Sequence, residues 1–438
     1  MRAFRRDDGA IAVQAALVAV PLMIAVFGMV DVSRASVAKR HLQDALDAAA
    51  LAAARSPATT DSALQTIGDG VLAGDLQGGD AVLQTSSFTI DDNRVTAVAT
   101  ATMTPLIAGL WLDGDMRLNA STEVTRNSYS VEVALVLDVT GSMKGTKVTG
   151  LRAAATELVD IVVQDVQTPY YSKVAIVPYS MGVNVGAYAA SVRGAVTNTG
   201  TCTTPGCQKF RFNNPGGDQK TFTISNCVSE RTGADAFTDA APSDAPLGRN
   251  YPSPDNPCLA NVITPLSSDK ATLKTRIGEL QAAGSTAGHI GVGWGWYLVS
   301  PTFGYLWPHE SRPAAYDADD LMKVVVLMTD GEYNSAYCKG VIAQDSTTGS
   351  GATSEHINCN AANGHAFTQA QALCTNMKAA GVVVYTVGFE IVDDQKARDL
   401  VNFCATDAKH VYMPSGSADL KDAFRAIARD INALRLSR

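Results

Sequence analysis

Val131-Glu132-Val133-Ala134-Leu135-Val136-Leu137 runs directly into Asp138-Val139-Thr140-Gly141-Ser142-Met143. The first seven residues form a short, β-branched, largely apolar run, the pattern of a strand buried on both faces of a parallel sheet. Three later runs have the same texture: Lys173–Tyr179, Lys323–Met328 and Gly381–Val387. Helical patterns lie between and after them, at Val148–Val163, Lys270–Ala282, Ile290–Val299, Phe367–Ala379 and near Ala418–Ala433. Strands alternating with helices predict an α/β domain with a doubly wound, mostly parallel sheet over residues 129–438.

The polar residues that end the first run carry the chemistry. Asp138, Thr140 and Ser142 leave the carboxyl end of a buried strand at alternate positions, the edge where open α/β sheets bind ligands. Leu327-Met328-Thr329-Asp330-Gly331 places a second Asp at the end of another core strand, and Gly284-Ser285-Thr286-Ala287-Gly288 is a glycine-flanked loop with a further hydroxyl. Two carboxylates and three hydroxyls make an all-oxygen set suited to a hard cation, Mg²⁺ or Mn²⁺ in its place.

The order D-x-T-G-S-M, loop Thr, strand-end Asp resembles the metal-ion-dependent adhesion site (MIDAS) of von Willebrand factor type A (vWA) domains, whose pattern is D-x-S-x-S, T, D. The resemblance implies metal ligation by Asp138, Thr140, Ser142, Thr286 and Asp330, with Thr140 standing where the family has Ser. It also implies that hydroxyls touch the metal, that the aspartates act through water, and that a partner's carboxylate completes the shell.

Ahead of this domain, Ala10–Val30 reads AIAVQAALVAVPLMIAVFGMV, with Gln14 its single strongly polar side chain. At 1.5 Å per helical residue it spans roughly 30 Å, enough for a bilayer core. It exceeds the about 7–15 apolar residues of a cleaved signal, so an uncleaved anchor is expected. Ser36–Arg55 lacks Gly and Pro and continues the helix. Residues 57–128 read as a small β-rich spacer, with strands at Ser87–Ile90, Val95–Met103 and Met116–Thr125 and a turn at Asp91–Arg94. The domain boundaries expected are therefore 1–56, 57–128 and 129–438. Residues 9–54, the stretch GSTAGHIGVGWGWYLVSP (284–301) and the ending AFRAIARDINALRLSR (423–438) resemble TadG-like proteins of the tight-adherence (Flp-type) pilus assembly system, which implies a membrane-anchored periplasmic vWA domain.

Orientation is not settled by basic residues, because Arg2, Arg5 and Arg6 before the apolar run are matched by Arg34, Lys39 and Arg40 after it. All eight cysteines lie beyond residue 200, and no CxxC pair occurs. Cysteines so placed favour disulfides in an oxidising compartment. The expected topology is single-pass in a bacterial inner membrane, N-terminus cytoplasmic and the rest periplasmic. Four cysteines fall in a proline-rich insertion at about 187–266 and two in a second insertion at about 332–365. Cys374 and Cys404, in successive helical segments around one strand, are the pair expected to bridge.

A net charge of −8 disfavours a nucleic-acid partner, and the absence of GxxxxGK[ST] disfavours a nucleotide. Ser142 has no neighbouring His and no GxSxG elbow, and the SxxK sequences at Ser36 and Ser267 lack companion motifs, so no catalytic residue is expected. His289 follows the Thr286 loop, within reach of lining the site, and is expected instead to pack or cap. Trp294 and Trp296 are expected to pack. The function expected is a metal-dependent, protein-binding module for pilus assembly, secretion and adhesion, not an enzyme. The alternatives are an accessory subunit of a chelatase-like complex, or a membrane adhesin or receptor unrelated to pili.

Overall fold

Residues 130–138 are buried almost throughout and form β4, Ser130–Asp138, at the centre of a six-stranded sheet. The structure, a computed structural model, describes residues 8–56, 58, 60–91, 94–106, 114–125, 129–168 and 170–437. Arg2, Arg5, Arg6 and the turn residues Asp92 and Asn93 lie outside them. The chain divides into two compact units, residues 1–128 and, with Tyr129 at its start, the rest.

In the first unit, α1 (Asp8–Arg55) is a continuous helix of 48 residues, about 72 Å long at the usual rise. Among the described residues it alone is long and apolar enough to cross a membrane. Leu17, Leu22 and Met29 on its early part are exposed, whereas Ala35, Ala38, Leu42, Ala45 and Ala49 are buried at helical spacing. These small residues share a core with α2 (Asp61–Asp75) and an antiparallel meander of β1 (Val82–Asp91), β2 (Arg94–Met103) and β3 (Met116–Thr125). The helical extension and the strands, set out above as separate segments meeting at residues 56 and 57, thus form one unit. Three glycines in α2 hide it from propensity reasoning. One of them, Gly68, leaves the space that the Phe88 ring fills, since a Cβ there would lie 2.5 Å from the ring.

In the second unit, β4 is followed by α3 (Thr146–Val162), β5 (Ser172–Tyr179), β6 (Thr264–Ser267), α4 (Lys270–Gly278), α5 (Gly288–Val299), β7 (Leu321–Thr329), α6 (Ala366–Ala379), β8 (Val383–Gly388), α7 (Gln395–Cys404), β9 (Val411–Tyr412) and α8 (Ser417–Ser437). The sheet order is β6-β5-β4-β7-β8-β9, parallel except for the edge strand β6. This is the doubly wound α/β architecture expected of a vWA domain. The chain builds outward from β4 on one side and then returns to its other side with β7. The crevice at the carboxyl ends of β4 and β7 is therefore the topological switch point.

All twelve residues of α5 are buried, including Trp294 and Trp296. Its glycines let the helix lie directly on the sheet: a Cβ on Gly291 would meet the Tyr179 ring at 2.6 Å, and one on Gly295 would meet Val136 at 2.5 Å. Glycine's poor helix propensity is overridden here by packing.

The two insertions fold on each other. A three-stranded sheet (Asn198–Cys202, Cys207–Asn213, Gln219–Thr223) buries Phe210, Phe212 and Phe222 with Val341, Ala343 and Ile357 of the second insertion. All eight cysteines are paired, as Cys202–Cys207, Cys227–Cys258, Cys338–Cys359 and Cys374–Cys404. The last of these ties α6 to α7 on either side of β8.

Candidate functional site

The register Asp138↔Tyr179 sets the end of β4 beside the end of β5, and Asp330 follows β7 directly. The 283–287 loop is pinned between them through its backbone. Ala283 donates to the Val139 carbonyl at 2.9 Å, Gly141 donates to Gly284 at 2.8 Å, and Ala287 donates to Ser180 at 2.8 Å. On the other side, Asn334 donates its backbone N–H to Thr286 at 2.9 Å and accepts from the Thr286 N–H through Oδ1 at 2.8 Å. Gly284 has a φ of +84° and faces Asn256 and Ser180 closely, a position open only to glycine. Asp138, which ends β4, and the other four residues expected from the sequence, on loops bonded together, thus lie at one sheet edge.

Four of them touch side chain to side chain. Asp138 Oδ1, Thr140 Oγ1, Ser142 Oγ and Asp330 Oδ1 form a row with successive separations of 2.6, 2.9 and 2.6 Å. Among the described residues, no hydrogen bond joins the Thr286 hydroxyl to this row. Asp138 is wholly buried, and it also accepts from the Thr140 N–H at 2.9 Å and from the Thr329 hydroxyl at 3.0 Å. The Tyr179 hydroxyl lies 2.9 Å from its other oxygen. Burial, then the charge of Asp330, push the Asp138 carboxyl up to about 6, against the hydrogen bonds from Thr140 and Tyr179.

Counting hydrogens shows what the row lacks. Each hydroxyl carries one hydrogen. With both carboxylates ionised, Thr140 donates to Asp138 and Ser142 donates to Asp330, which leaves the 2.9 Å Thr140–Ser142 contact without a hydrogen. One added proton, on either carboxylate, would supply it, and a cation among the oxygens would remove the need for it. Hard, all-oxygen donors fit Mg²⁺ or Mn²⁺. Among the described residues no three His, Cys, Asp or Glu side chains gather as a metal group; the row has two carboxylates, and its remaining donors are hydroxyls.

Sequence reasoning missed the groups that surround the row: Tyr179, Thr329, Asn334, Lys147 and Glu390. Lys147 Nζ lies 3.0 Å from Asp330 Oδ2 and 3.2 Å from Glu390 Oε2. Its signal in the sequence is a cation in the first turn of α3, where the helix dipole disfavours one. Burial lowers the pKa of its ammonium, but the bonds and charges of Asp330 and then Glu390 prevail and hold it above the ordinary lysine value.

His289 is buried away from the row, with Nε2 3.6 Å from Glu230 Oε2. Glu230 also accepts from the Tyr337 N–H at 2.7 Å, so it ties the first insertion to the loop after Asp330. Among the described residues no histidine partners Ser142. Its neighbours are Thr140 and Asp330.

Residues 9–56 match the family model described as putative Flp pilus-assembly TadE/G-like. No curated protein matches the chain. Among solved structures, the vWF domain of the type V pili tip protein Mfa5 from Porphyromonas gingivalis is similar at 13% identity and a TM-score of 0.41, with 71% of this chain and 97% of that one covered. The pilus adhesin SpaC from Lactobacillus rhamnosus GG is similar at 13% identity and a TM-score of 0.37, over 81% of this chain and 35% of that one. The adhesive tip pilin GBS104 from Group B Streptococcus agalactiae is similar at 11% identity and a TM-score of 0.39, over 69% and 100%. None of these likenesses bears on what the chain binds.

Proposed function

We propose that the chain is a membrane-anchored, metal-dependent protein-binding module of Flp/Tad pilus assembly and surface adhesion, and not an enzyme. The observation that carries this is the row of two carboxylates and two hydroxyls at the switch point, whose three contacts have only two hydroxyl hydrogens between them, on a chain whose first residues match a pilus-assembly family. Asp138, Thr140, Ser142, Thr286 and Asp330 would hold Mg²⁺ or Mn²⁺. A divalent cation bound there supplies a Lewis-acidic contact for a carboxylate of a partner protein. Tyr179, Thr329 and the Thr140 N–H hold Asp138 from the protein side, and Ser142 is the exposed hydroxyl of the row. Four disulfides support a periplasmic location, with α1 crossing the inner membrane and the N-terminus in the cytoplasm. The partners are other pilus-assembly or secretion proteins.

Capture of envelope proteins by the full chain in detergent, with Mg²⁺ or with EDTA, tests this. The expected result is a set of partners recovered only with Mg²⁺ and lost in Ser142→Ala, together with loss of piliation in Ser142→Ala cells at unchanged protein level. Identical recovery in Mg²⁺ and EDTA, with normal pili in the variant, would leave the site a structural scaffold.

A further inference from the structure

Asp330 is shared. Its Oδ1 accepts from Ser142 at 2.6 Å and its Oδ2 accepts from Lys147 at 3.0 Å, in a side chain that is only 1% exposed. Lys147 itself is partly open to solvent and has a second anchor, Glu390, at 3.2 Å. Glu390 is one of three non-glycine residues with positive φ among the described residues, at +56°, and its N–H is tied to the Pro414 carbonyl at 3.0 Å. A left-handed Glu costs on the order of 1–3 kcal/mol and persists only where its surroundings impose it. Lys147 at a helix N-terminus opposes the local field as well. Two locally unfavourable choices therefore meet at one ammonium group, which touches the carboxylate at the row's Ser142 end, Asp330.

We infer that Lys147 is a tethered counter-ion that neutralises Asp330 in the cation-free site and sets how tightly a divalent cation binds, with Glu390 as the anchor that receives it when the cation takes Asp330. The inference rests on the reading of the row as a cation site. An ammonium on Asp330 competes with the cation for one carboxylate and repels it besides, so affinity is held below what the five donors alone would give. Glu390 eases that competition by offering the ammonium a second carboxylate at nearly the same distance. Glu390 is also the more exposed of the two anchors, which makes the exchange a short swing of a flexible stem.

The test is Mg²⁺ and Mn²⁺ titration calorimetry on the full chain in detergent, with thermal unfolding followed by tryptophan fluorescence in EDTA and in Mg²⁺. Trp294, Trp296 and Trp307 report the second unit. Lys147→Met should bind about tenfold tighter, equivalent to 1.4 kcal/mol. It should also melt lower in EDTA and show a larger rise with Mg²⁺ than wild type. Lys147→Arg keeps the charge and should stay near wild type. Glu390→Gln, which leaves the ammonium wholly to Asp330, should bind about threefold weaker. If wild type binds and Lys147→Met binds equally or more weakly, the counter-ion role is overturned and the cation site stands. If no variant binds either metal and no melting temperature responds to it, the cation reading falls and takes this inference with it.

Discussion

The two ends of the central strand pair β4 and β7 are built from the same kinds of group and differ in how the charges balance. At the amino end, Glu132 and Lys323 face each other across the sheet in register and form a buried ion pair. Glu132 also accepts from the Tyr171 hydroxyl and the Ala314 N–H, each at 2.9 Å, and Lys323 donates to the Val299 carbonyl at 2.9 Å. One acid meets one base, and the remaining polar capacity is filled by neighbours. At the carboxyl end two acids, Asp138 and Asp330, have one lysine between them, and that lysine is divided with Glu390. A neutral, satisfied network gives a rigid end, and an unbalanced one gives the end at which a cation is proposed to bind.

The largest effect should come from breaking the balanced end. Lys323→Met leaves Glu132 buried and unpaired, and removing one partner of such a pair costs about 3–5 kcal/mol. Denaturant unfolding should show this loss equally in Mg²⁺ and EDTA, and a second change, Glu132→Leu, should recover most of it. A loss below about 1 kcal/mol would put the pair on a level with an exposed one and erase the contrast.

At the unbalanced end the sign reverses. In EDTA, Asp138→Asn should stabilise the second unit at pH 7 by up to about 3 kcal/mol, two pKa units at 1.36 kcal/mol each, less any hydrogen bond the amide fails to accept. Burial and then the charge of Asp330 push the carboxyl up to about 6 in the folded protein, above its ordinary value of 3.8. Between those values the native state holds a proton that the unfolded chain has released. Asp138 therefore contributes its full stability below about pH 4 and loses it as pH rises to about 6. Stability measured against pH in EDTA should show that decline in wild type and not in Asp138→Asn, and Mg²⁺ should shrink it. Parallel profiles would mean that burial and the charge of Asp330 do not raise the Asp138 carboxyl.

The smallest effect belongs to Ser142→Ala, which removes one partly solvated hydroxyl and should shift stability in EDTA by under about 1 kcal/mol. Its interest lies in the difference it makes with metal: the rise in melting temperature on adding Mg²⁺ should disappear. An unchanged rise would remove Ser142 from the donor set.

Much of the second unit was legible in the sequence, because a strand buried on both faces needs an unbroken apolar run and such a run is a local signal. The runs at 131–137, 173–179, 323–328 and 381–387 fall on β4, β5, β7 and β8. The helical patterns fall on α3 to α6 and on α8 within a few residues at their ends. Asp138 and Asp330 were legible for the same reason, as acids ending such runs. The short edge strands β6 and β9 and the glycine-bearing α2 carry no such pattern and were not found. Tertiary structure alone decided that Ala35–Ala54 and the meander share one core, and that the insertions close on each other through Phe210 and Val341. It also decided which loop bonds hold Thr286 between two strand ends, and that Lys147, 183 residues from Asp330, supplies its counter-charge. A sequence pattern records whether a residue is buried, since burial acts on each side chain through water. Which charge stands beside which depends on where remote segments come to rest, and no local pattern carries that.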